Sequence, residues 1–326
     1  MESIKKFRMR RLTFTNEPWF SAVPPLIVLF ILMSVVSPDT FLTGSNIMNV
    51  LRQASVYAIM AVGMAFAIIT GGIDLSQGSV LAVVAIVVGM VIRDTQNAFL
   101  AILAGLGIGA LVGMLNGVVI ALLDMPPFIM TLGTMRAMRG VALLLTKGTP
   151  IDITMPEFRV MGVESFLGIP IPVYIFVAVG LIGQFILSKT STGRYIFSLG
   201  SNVEAAKISG VKIVWNRIKA YLFSGIAVAI AAILYISRLG SAQPIAGDGY
   251  ELEAVAAAVI GGTSIVGGEG SAIGSIIGAV VVAIIRNAMV LLQISTYWQS
   301  IVIGMVIVVS VSIDILRKRI EARRVD

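Results

Sequence analysis

Apolar runs, each about long enough to cross a bilayer as a helix, follow one another along almost the whole chain. A spanning helix needs about 20 mostly apolar residues, and on that measure the chain divides into ten predicted spans. The spans are residues 19–36, 47–70, 76–92, 98–123, 127–145, 171–188, 219–237, 254–268, 271–292 and 298–316. The mean hydropathy of +0.98 and the 13% of charged residues leave too little polar surface for a water-soluble globule of this size. The sequence therefore predicts an all-α, polytopic membrane protein, with residues 1–326 forming one transmembrane domain in contact with membrane lipid.

The basic residues predict which side of the membrane each connection occupies. Sixteen of the 24 Lys and Arg residues lie in three segments that flank apolar spans. They are Lys5, Lys6, Arg8, Arg10 and Arg11, then Lys189, Arg194, Lys207, Lys212, Arg217 and Lys219, and finally Arg317, Lys318, Arg319, Arg323 and Arg324. Because cytoplasmic loops are rich in Lys and Arg, we expect the tails 1–18 and 317–326 and the loop 189–218 to be cytoplasmic. An even number of crossings agrees with two termini on one side.

The composition excludes several kinds of chemistry. The chain has no Cys and no His, so disulfides, thiol nucleophiles, imidazole bases and the usual zinc ligands are all missing. The phosphate-binding pattern G-x-x-x-x-G-K-[ST] does not occur. No catalytic residue, metal ligand or cofactor is therefore predicted on this chain. The net charge of +7 does not indicate nucleic-acid binding, because no aromatic residues alternate with the basic ones.

Glycine and proline interrupt several of the predicted spans. The breaks are at Gly71-Gly72, at Pro126-Pro127 and in the glycine-rich stretch 261–270. Irregular backbone at membrane depth is tolerated only where protein or a water-filled cavity satisfies its polar groups, so some spans are expected to be broken or re-entrant. Other glycines allow close helix packing, and the spacing of Gly105, Gly109 and Gly113 predicts such a face.

Polar residues inside the predicted spans are candidates for a substrate pathway. Charge is expensive there and is functional by default. The candidates are Asp74, Ser76, Asn116 and Asn287. Each has a structural alternative, because Asp74 can cap the helix that follows it and the two asparagines can pack between helices.

Other charged residues in the spans can be placed on a helix face but not paired. Arg136 and Arg139 share one face of the fifth span, since residues three apart are neighbours on a helix. Three roles are open for them: an ion pair with an acid across the bundle, extension of the side chain toward the headgroups, or stabilisation of the fold. Arg286 and Glu253 are further candidates, and the sequence does not say which groups meet.

The loop 189–218 contains a short helix with a signal at each end. Ser201-Asn202-Val203-Glu204 fits a capping box, in which the serine hydroxyl and the glutamate each accept from a free amide. Gly210 then supplies a left-handed residue that ends a helix, so a helix is predicted over 202–209. A helix this short is marginal in water. It needs a protein partner or, alternatively, lies flat on the headgroups with Lys207 and Lys212 toward lipid.

Three separated motifs resemble those of a known family. They are Gly72-Ile73-Asp74-Leu75-Ser76-Gln77-Gly78-Ser79, then Gly200-Ser201-Asn202-Val203-Glu204-Ala205-Ala206-Lys207-Ile208-Ser209-Gly210, and lastly Ser241-Ala242-Gln243-Pro244 with Gly249-Tyr250-Glu251-Leu252 and Gly261-Gly262-Thr263-Ser264. In this order they are similar to motifs of the sugar permeases of ATP-binding-cassette importers, particularly the ribose permease group. The resemblance runs from about residue 46 to residue 309. Gln77, Val211 and Arg286 depart from the family's usual residues.

The resemblance implies a function and a set of partners. A type II importer-like permease of ten spans is expected in the bacterial cytoplasmic membrane, paired with a second permease copy. It is expected to pass a monosaccharide, ribose or a similar sugar, from an external binding protein to the cytoplasm. ATP and Mg are expected on a separate ATPase subunit. The residues expected to couple to that ATPase are Gly200, Ser201, Asn202, Glu204, Ala205, Ala206, Ser209 and Gly210. Arg159 and Arg238 lie outside by this topology and are expected to meet the binding protein.

Two other functional classes are compatible with a polytopic chain. An ion-coupled secondary transporter needs an intramembrane carboxylate as its relay, and Asp74 is the obvious candidate within the first nine spans. An integral membrane enzyme of lipid or isoprenoid metabolism needs clustered acids or a nucleophile with a base. The sequence contains neither arrangement, which favours transport over catalysis.

Overall fold

The computed structural model describes residues 18–322, and within them the protein is a bundle of long helices. A 3-10 turn at Pro18–Ala22 leads into the first helix. The helices are α1 Val23–Val36, α2 Pro38–Phe41, α3 Gly44–Ile69, α4 Gln77–Thr95, α5 Ala98–Leu122, α6 Pro127–Thr146, α7 Pro156–Val163, α8 Ile171–Lys189, α9 Ser191–Ser201, α10 Val203–Ile208, α11 Ile213–Leu239, α12 Tyr250–Ile260, α13 Ala272–Leu291 and α14 Thr296–Ala322. Nine helical segments in this part of the chain are long and apolar enough to cross a membrane. The all-α, polytopic fold class is thereby confirmed.

Helices α3 and α11 form the centre of the bundle. In the most apolar 18-residue stretch of α3, 89% of the residues are buried. The corresponding share is 11% in the first span and 17% in α6. Helix α11 packs along α3, α4 and α5, and α13 packs on the other side of α3. Most of the buried apolar residues of these helices belong to one large cluster, and two smaller clusters lie where α3 meets α13 and where it meets α5 and α11. Peripheral helices, whose outer faces are mostly apolar, surround this core, as expected for a chain that lipid surrounds.

Glycine contacts hold α5 and α11 unusually close. A Cβ atom at Gly109 would lie 2.4 Å from the Gly225 carbonyl oxygen, and one at Gly113 would lie 2.4 Å from the Tyr221 carbonyl oxygen. Since real Cβ atoms do not approach this closely, only glycine fits at these positions. The close-packing face predicted from Gly109 and Gly113 is confirmed, while Gly105 packs instead against the Val88 side chain of α4.

The eighth predicted span is broken. Residues 254–268 were expected to form one helix, but α12 covers Tyr250–Ile260 and the chain continues as turns and loop to Ser271. Eleven residues reach about 16 Å, roughly half the thickness of the hydrocarbon core. The helix ends where Gly262, Gly267 and Gly268 take positive φ angles. The apolar composition of this stretch was therefore a misleading signal, because its glycines stop the helix.

Two segments on the predicted outer side are joined by a short sheet. Strand β1 (Ile151–Asp152) pairs antiparallel with β4 (Ser241–Ala242), while β2 (Ser165–Phe166) pairs with β3 (Ile169–Pro170). Helix α7 also packs on α11, where the Ser237 hydroxyl donates to the Phe158 carbonyl at 2.6 Å. Residues 146–170 therefore form a small cap fixed to the end of α11.

Candidate functional site

The short helix predicted in the loop 189–218 is present as α10, but its cap differs from the prediction. Asn202 is extended (φ −162°, ψ 107°), and its Oδ1 accepts from the Ala205 N–H at 2.9 Å. Ser201 is the last residue of α9, and its hydroxyl donates to the Phe197 carbonyl at 3.0 Å. The capping box through Ser201 and Glu204 was therefore wrong by one residue, because the preceding helix continues through Ser201. Asn is as good an N-cap as Ser.

The C-terminal end of α10 agrees with the prediction. Gly210 has a φ of +77°. The Val211 N–H donates to the Ala206 carbonyl and the Gly210 N–H donates to the Lys207 carbonyl, both at 3.0 Å. These two hydrogen bonds form a Schellman motif. Gly210 as the left-handed residue is confirmed, and Ser209 is the C-cap. Helix α10 is thus fixed at both ends although it contains only six residues.

The side chains of α10 separate into one buried face and one exposed face. Ala206 is buried against the body of the protein, whereas Glu204, Ala205 and Ser209 are exposed. Ile208 is 87% exposed, and no apolar neighbour covers it. Ile208 is therefore an apolar group available for contact with a protein partner or with lipid.

A groove of about 530 Å³ lies beside α10, between it and the connection of α5 to α6. Trp215, which is 60% exposed, and Asp124 line it together with basic residues. Arg217 donates to the Asp124 carboxylate at 2.8 Å, which ties the α5–α6 connection to the start of α11. The groove therefore has a fixed, mixed-charge wall beside an apolar one.

The end of α9 is packed directly on backbone from two other parts of the chain. A Cβ atom at Gly200 would lie 1.8 Å from the Ile69 carbonyl oxygen and 2.4 Å from the Gly268 nitrogen. The Gly268 N–H donates to the same Ile69 carbonyl at 3.0 Å. A Cβ at Gly267 would lie 3.0 Å from the Gly71 nitrogen. We call these contacts the glycine junction. It joins the α9–α10 segment to the end of α3 and to the loop after α12.

Three of the four predicted pathway residues lie together in a buried hydrogen-bond network. Asp74 Oδ1 accepts from the Ser76 N–H at 3.1 Å and from its hydroxyl at 2.5 Å. The Ser224 hydroxyl donates to Asp74 Oδ2 at 2.6 Å. Asn116 Nδ2 donates to the Ser76 hydroxyl at 3.0 Å, and the Thr134 hydroxyl donates to Asn116 Oδ1 at 2.6 Å. Asp74 accepts a hydrogen bond from one backbone amide just before α4, which agrees with the capping alternative. It also accepts one from Ser224 of α11.

Gln77 extends this inner network. Its Nε2 donates to the Ser224 hydroxyl at 3.0 Å and to the Met60 carbonyl at 3.3 Å. The network thus joins α3, α4, α5, α6 and α11 around the extended segment between α3 and α4. The sequence alone did not identify Ser224 or Thr134 as members of the network. Gln77 departs from the residue that is usual in the family.

The fourth predicted pathway residue lies elsewhere. Asn287 and Asn46 exchange amide hydrogen bonds of 2.7 and 3.1 Å between α13 and α3. The interhelical alternative describes this pair, and Asn287 is not brought near Asp74. A neighbouring ion pair resolves another open question, because Arg286 binds Glu253 and lies over the Tyr57 ring.

The two arginines proposed to meet a binding protein lie close to the outer sheet. Arg159 is exposed on α7, and its guanidinium lies next to the Gly240 backbone. Arg238 is in the last turn of α11 and is partly buried. Both therefore lie at the junction of the cap and α11, and their role in docking stays a prediction. Among residues 18–322, no group of three or more acidic side chains is arranged to hold a metal ion.

Comparison with known proteins identifies the family. Residues 46–311 match the family described as the permease component of the branched-chain amino acid transport system, and the chain belongs to this family. It is therefore a transport component of the membrane rather than an enzyme.

Individual relatives are similar over almost their whole length. The ribose import permease protein of Escherichia coli (strain K12) is 40% identical over 309 residues, which cover 92% of this chain and 96% of the relative. That of Bacillus subtilis (strain 168) is 42% identical over 292 residues, covering 89% and 90%. The D-allose transport system permease protein of Escherichia coli (strain K12) is 34% identical over 290 residues, covering 89% of each chain. No solved structure gives a significant match.

Proposed function

We propose that this chain is the permease subunit of an ATP-driven importer that carries a monosaccharide, ribose or one of similar shape, into a bacterial cytoplasm. The single observation that carries the proposal is the α9–α10 segment, an exposed helix that is capped at both ends and packed by its base on the glycine junction. The relatives support the sugar, since they are named as permeases for ribose and for allose.

The α9–α10 segment is suited to receive a push from a partner. Helix α10 is short and rigid, and the exposed Ile208 and the groove beside it supply a contact surface. A force on α10 passes through Gly200 to the end of α3 without a flexible side chain between them. Rigid-body movement of packed elements is a known way of switching between states. We therefore assign the separate ATPase, which closes when it binds ATP and Mg, as the partner that moves this segment.

The proposal includes an orientation of the chain in the membrane and two further partners. The loop 189–218 and the tails 1–18 and 317–326 face the cytoplasm, in agreement with their basic residues. The cap then lies outside, where a sugar-binding protein meets Arg159 and Arg238. A second copy of this chain completes the pathway. The tails lie largely outside the described residues, so their placement rests on charge.

The inner network also bears on the ion-coupled alternative. In a secondary transporter the relay carboxylate meets the ion in a pathway. Both oxygens of Asp74 accept hydrogen bonds from Ser76 and Ser224, and the side chain is 2% exposed. An Asp74 engaged in this way favours a structural role, which is in line with a transporter whose energy comes from a separate ATPase.

Reconstitution tests the proposal. The chain is placed in vesicles with the ATPase and the binding protein of the same system, and uptake of labelled ribose, allose and xylose is measured with and without ATP. We expect uptake that needs ATP and the binding protein and that is fastest for ribose. Uptake driven by a proton or sodium gradient in the absence of ATP would overturn the proposal.

A further inference from the structure

Helix α6, which is long and apolar enough to span a membrane, carries an arginine halfway along its length. Arg136 lies at the midpoint of Pro127–Thr146, about 14 Å from one end of the helix and about 15 Å from the other. Its side chain is exposed, and it has no ion-pair or hydrogen-bond partner among residues 18–322. A fully extended arginine side chain is shorter than half the thickness of the hydrocarbon core, so reaching a headgroup layer along the helix would require the bilayer to thin locally.

A second polar group reaches a similar depth on the same side of α6. Arg139, one turn from Arg136, donates to the carbonyls of Pro244 and Ala246 at 2.8 and 2.9 Å. Its guanidinium lies 3.9 Å from the carboxylate of Asp248, whose side chain is 88% exposed. Arg139 therefore holds the non-helical segment between β4 and α12 against α6. The Asp248 side chain is left exposed on the surface of the bundle.

The depth of this segment is supported by its other side. A Cβ atom at Gly78, in the first turn of α4, would lie 2.1 Å from the Gly247 carbonyl oxygen. The residue before it, Gln77, reaches the Met60 carbonyl, nine residues before the end of α3. Helix α4 thus begins about 14 Å from the end of α3, and Gly247 lies beside that start.

Lipid cannot cover this surface at acceptable cost. A charged side chain in the hydrocarbon is costly and is rare unless it faces the bundle interior or a water-filled cavity. Non-helical backbone at this depth occurs only where protein or a water-filled cavity lies next to it. By contrast, the exposed face of α8 at the same depth is wholly apolar, with Val177, Leu181 and Phe185. The face of α8 is therefore compatible with lipid. The surface formed by Arg136, Arg139 and Asp248 is not, and we call it the midplane polar face.

We propose that the midplane polar face lines the water-filled sugar pathway and that Arg136 and Asp248 hydrogen-bond the passing sugar. The inference rests on the proposed function for the identity of the substrate, and on the structure for the location. The guanidinium of Arg136 donates to sugar oxygens, and the Asp248 carboxylate accepts from neighbouring hydroxyl groups. Such contacts are few and exchangeable with water, which suits a route that has to release its cargo. Arg139 is a positioning residue that keeps Asp248 at this depth.

Cysteine labelling tests this location directly, because the chain has no Cys of its own. Arg136→Cys, Asp248→Cys and Gly133→Cys are each prepared in the full transporter with its ATPase in vesicles. Gly133 lies one turn from Arg136 on the same face, and a Cβ there has no neighbour within 4 Å, so this variant keeps both charges and fits. Leu181→Cys, on the apolar face of α8 at the same depth, is the control. The reagent is a charged, water-soluble methanethiosulfonate, which reacts with the thiolate.

We expect labelling at positions 133, 136 and 248 to be about tenfold faster than at position 181, since a thiol in hydrocarbon stays protonated and inert. Ribose at saturating concentration is expected to slow labelling of Gly133→Cys. Labelling as slow as that of Leu181→Cys at all three positions would overturn the proposal. So would disulfide formation between two copies through Gly133→Cys without any labelling, which would make the face a dry interface.

Labelling requires no uptake. If labelling is fast but ribose neither slows it nor is carried, the sugar assignment fails while the water-filled face stands.

Discussion

Two sets of polar side chains lie at membrane depth, and their hydrogen-bonding atoms face in opposite directions. Around Asp74 the donors and acceptors of the inner network bind one another between helices, and Asp74, Ser76 and Asn116 are at most 2% exposed. On the midplane polar face Arg136 is exposed without a partner in the described part of the chain, and Asp248 is 88% exposed. The first set holds helices together, whereas the second needs something outside the chain.

Polarity inside a span therefore does not by itself indicate a pathway. Asp74, Asn116 and Arg136 satisfied the same sequence criterion, an ionisable or amide side chain within an apolar run, whereas Asp248 lies between two predicted spans. What separates them is whether the neighbouring helices supply partners. A role of Asp74, Ser76, Asn116 and Asn287 in the pathway remains a prediction, and in this structure each bonds within the bundle. Stability and transport measurements on paired variants can test the distinction.

The largest effect is expected at the buried ion pair. Arg286→Leu leaves the Glu253 carboxylate, 3% exposed, without its cation, and the loss of one partner from a buried pair costs about 3–5 kcal/mol of unfolding free energy. Arg136→Leu removes a cation that has no partner among the described residues, and is expected to leave stability unchanged while reducing uptake. Thermal unfolding in detergent, followed by tryptophan fluorescence, measures both. Equal losses in the two variants would remove the distinction between polar groups that are paired inside the bundle and those on the midplane polar face.

The next effect compares two aspartates. Asp74→Ala deprives the Ser76 and Ser224 hydroxyls of their acceptor, and a buried donor left unsatisfied costs about 1–3 kcal/mol. Asp248→Ala changes an exposed side chain, so its effect on stability is expected within about 0.5 kcal/mol. In ATP-driven uptake we expect Asp248→Ala to be impaired even though it is fully folded. An Asp248→Ala transporter with normal uptake rates would contradict the pathway assignment.

A comparable contrast exists between two glycines. A Cβ at Gly200 meets the Ile69 carbonyl at 1.8 Å, while one at Gly107 has no neighbour within 4 Å. Gly200→Ala therefore forces the glycine junction apart, at a cost of about 1–3 kcal/mol for an overpacked site, and should lower the amount of sugar moved per ATP. Gly107→Ala is the matched control and should behave as the unchanged protein. Normal coupling in Gly200→Ala would show that force does not pass through the junction.

The smallest effect is expected at the cap of α10. Asn202→Ala removes the acceptor of the Ala205 N–H, which costs about 1 kcal/mol of helix stability. Ser201→Ala changes a residue whose hydroxyl bonds within α9, and is expected to have less effect on ATP-coupled uptake. The ratio of sugar moved to ATP hydrolysed measures both variants. A larger loss in Ser201→Ala would favour the original capping box over the observed cap.

Much of the fold could be predicted from hydropathy and glycine placement. The long spans, the breaks before Asp74 and within 261–270, the left-handed Gly210 and the close packing at Gly109 and Gly113 are all found. These features depend on local composition or on spacing along one helix. The error in span 254–268 arose because apolar composition does not distinguish a helix of eleven residues with a glycine loop from a full span.

The candidate site was predictable only in part. Ser224 lies 150 residues from Asp74, and Asn287 lies 241 residues from Asn46, so their hydrogen bonds depend on how the helices are arranged. The same holds for Arg286 with Glu253 and for Arg139 with its two carbonyl acceptors. A single sequence places such residues on a face but does not say which face meets which. The cap shift from Ser201 to Asn202 has a different cause, because both residues are strong N-caps and only the length of α9 decides between them.

Helix α11 has a mechanical consequence. It begins five residues after the end of α10 and runs without interruption to Leu239, just before the outer strand β4. Its 27 residues make a lever about 40 Å long. A tilt of about 5° at the end next to α10 would displace the far end by about 3.5 Å over that length. Because α11 is in close backbone contact with α5 at Gly109 and Gly113, we expect the two helices to move together, so that a movement at α10 displaces the cap without a rotamer change in between.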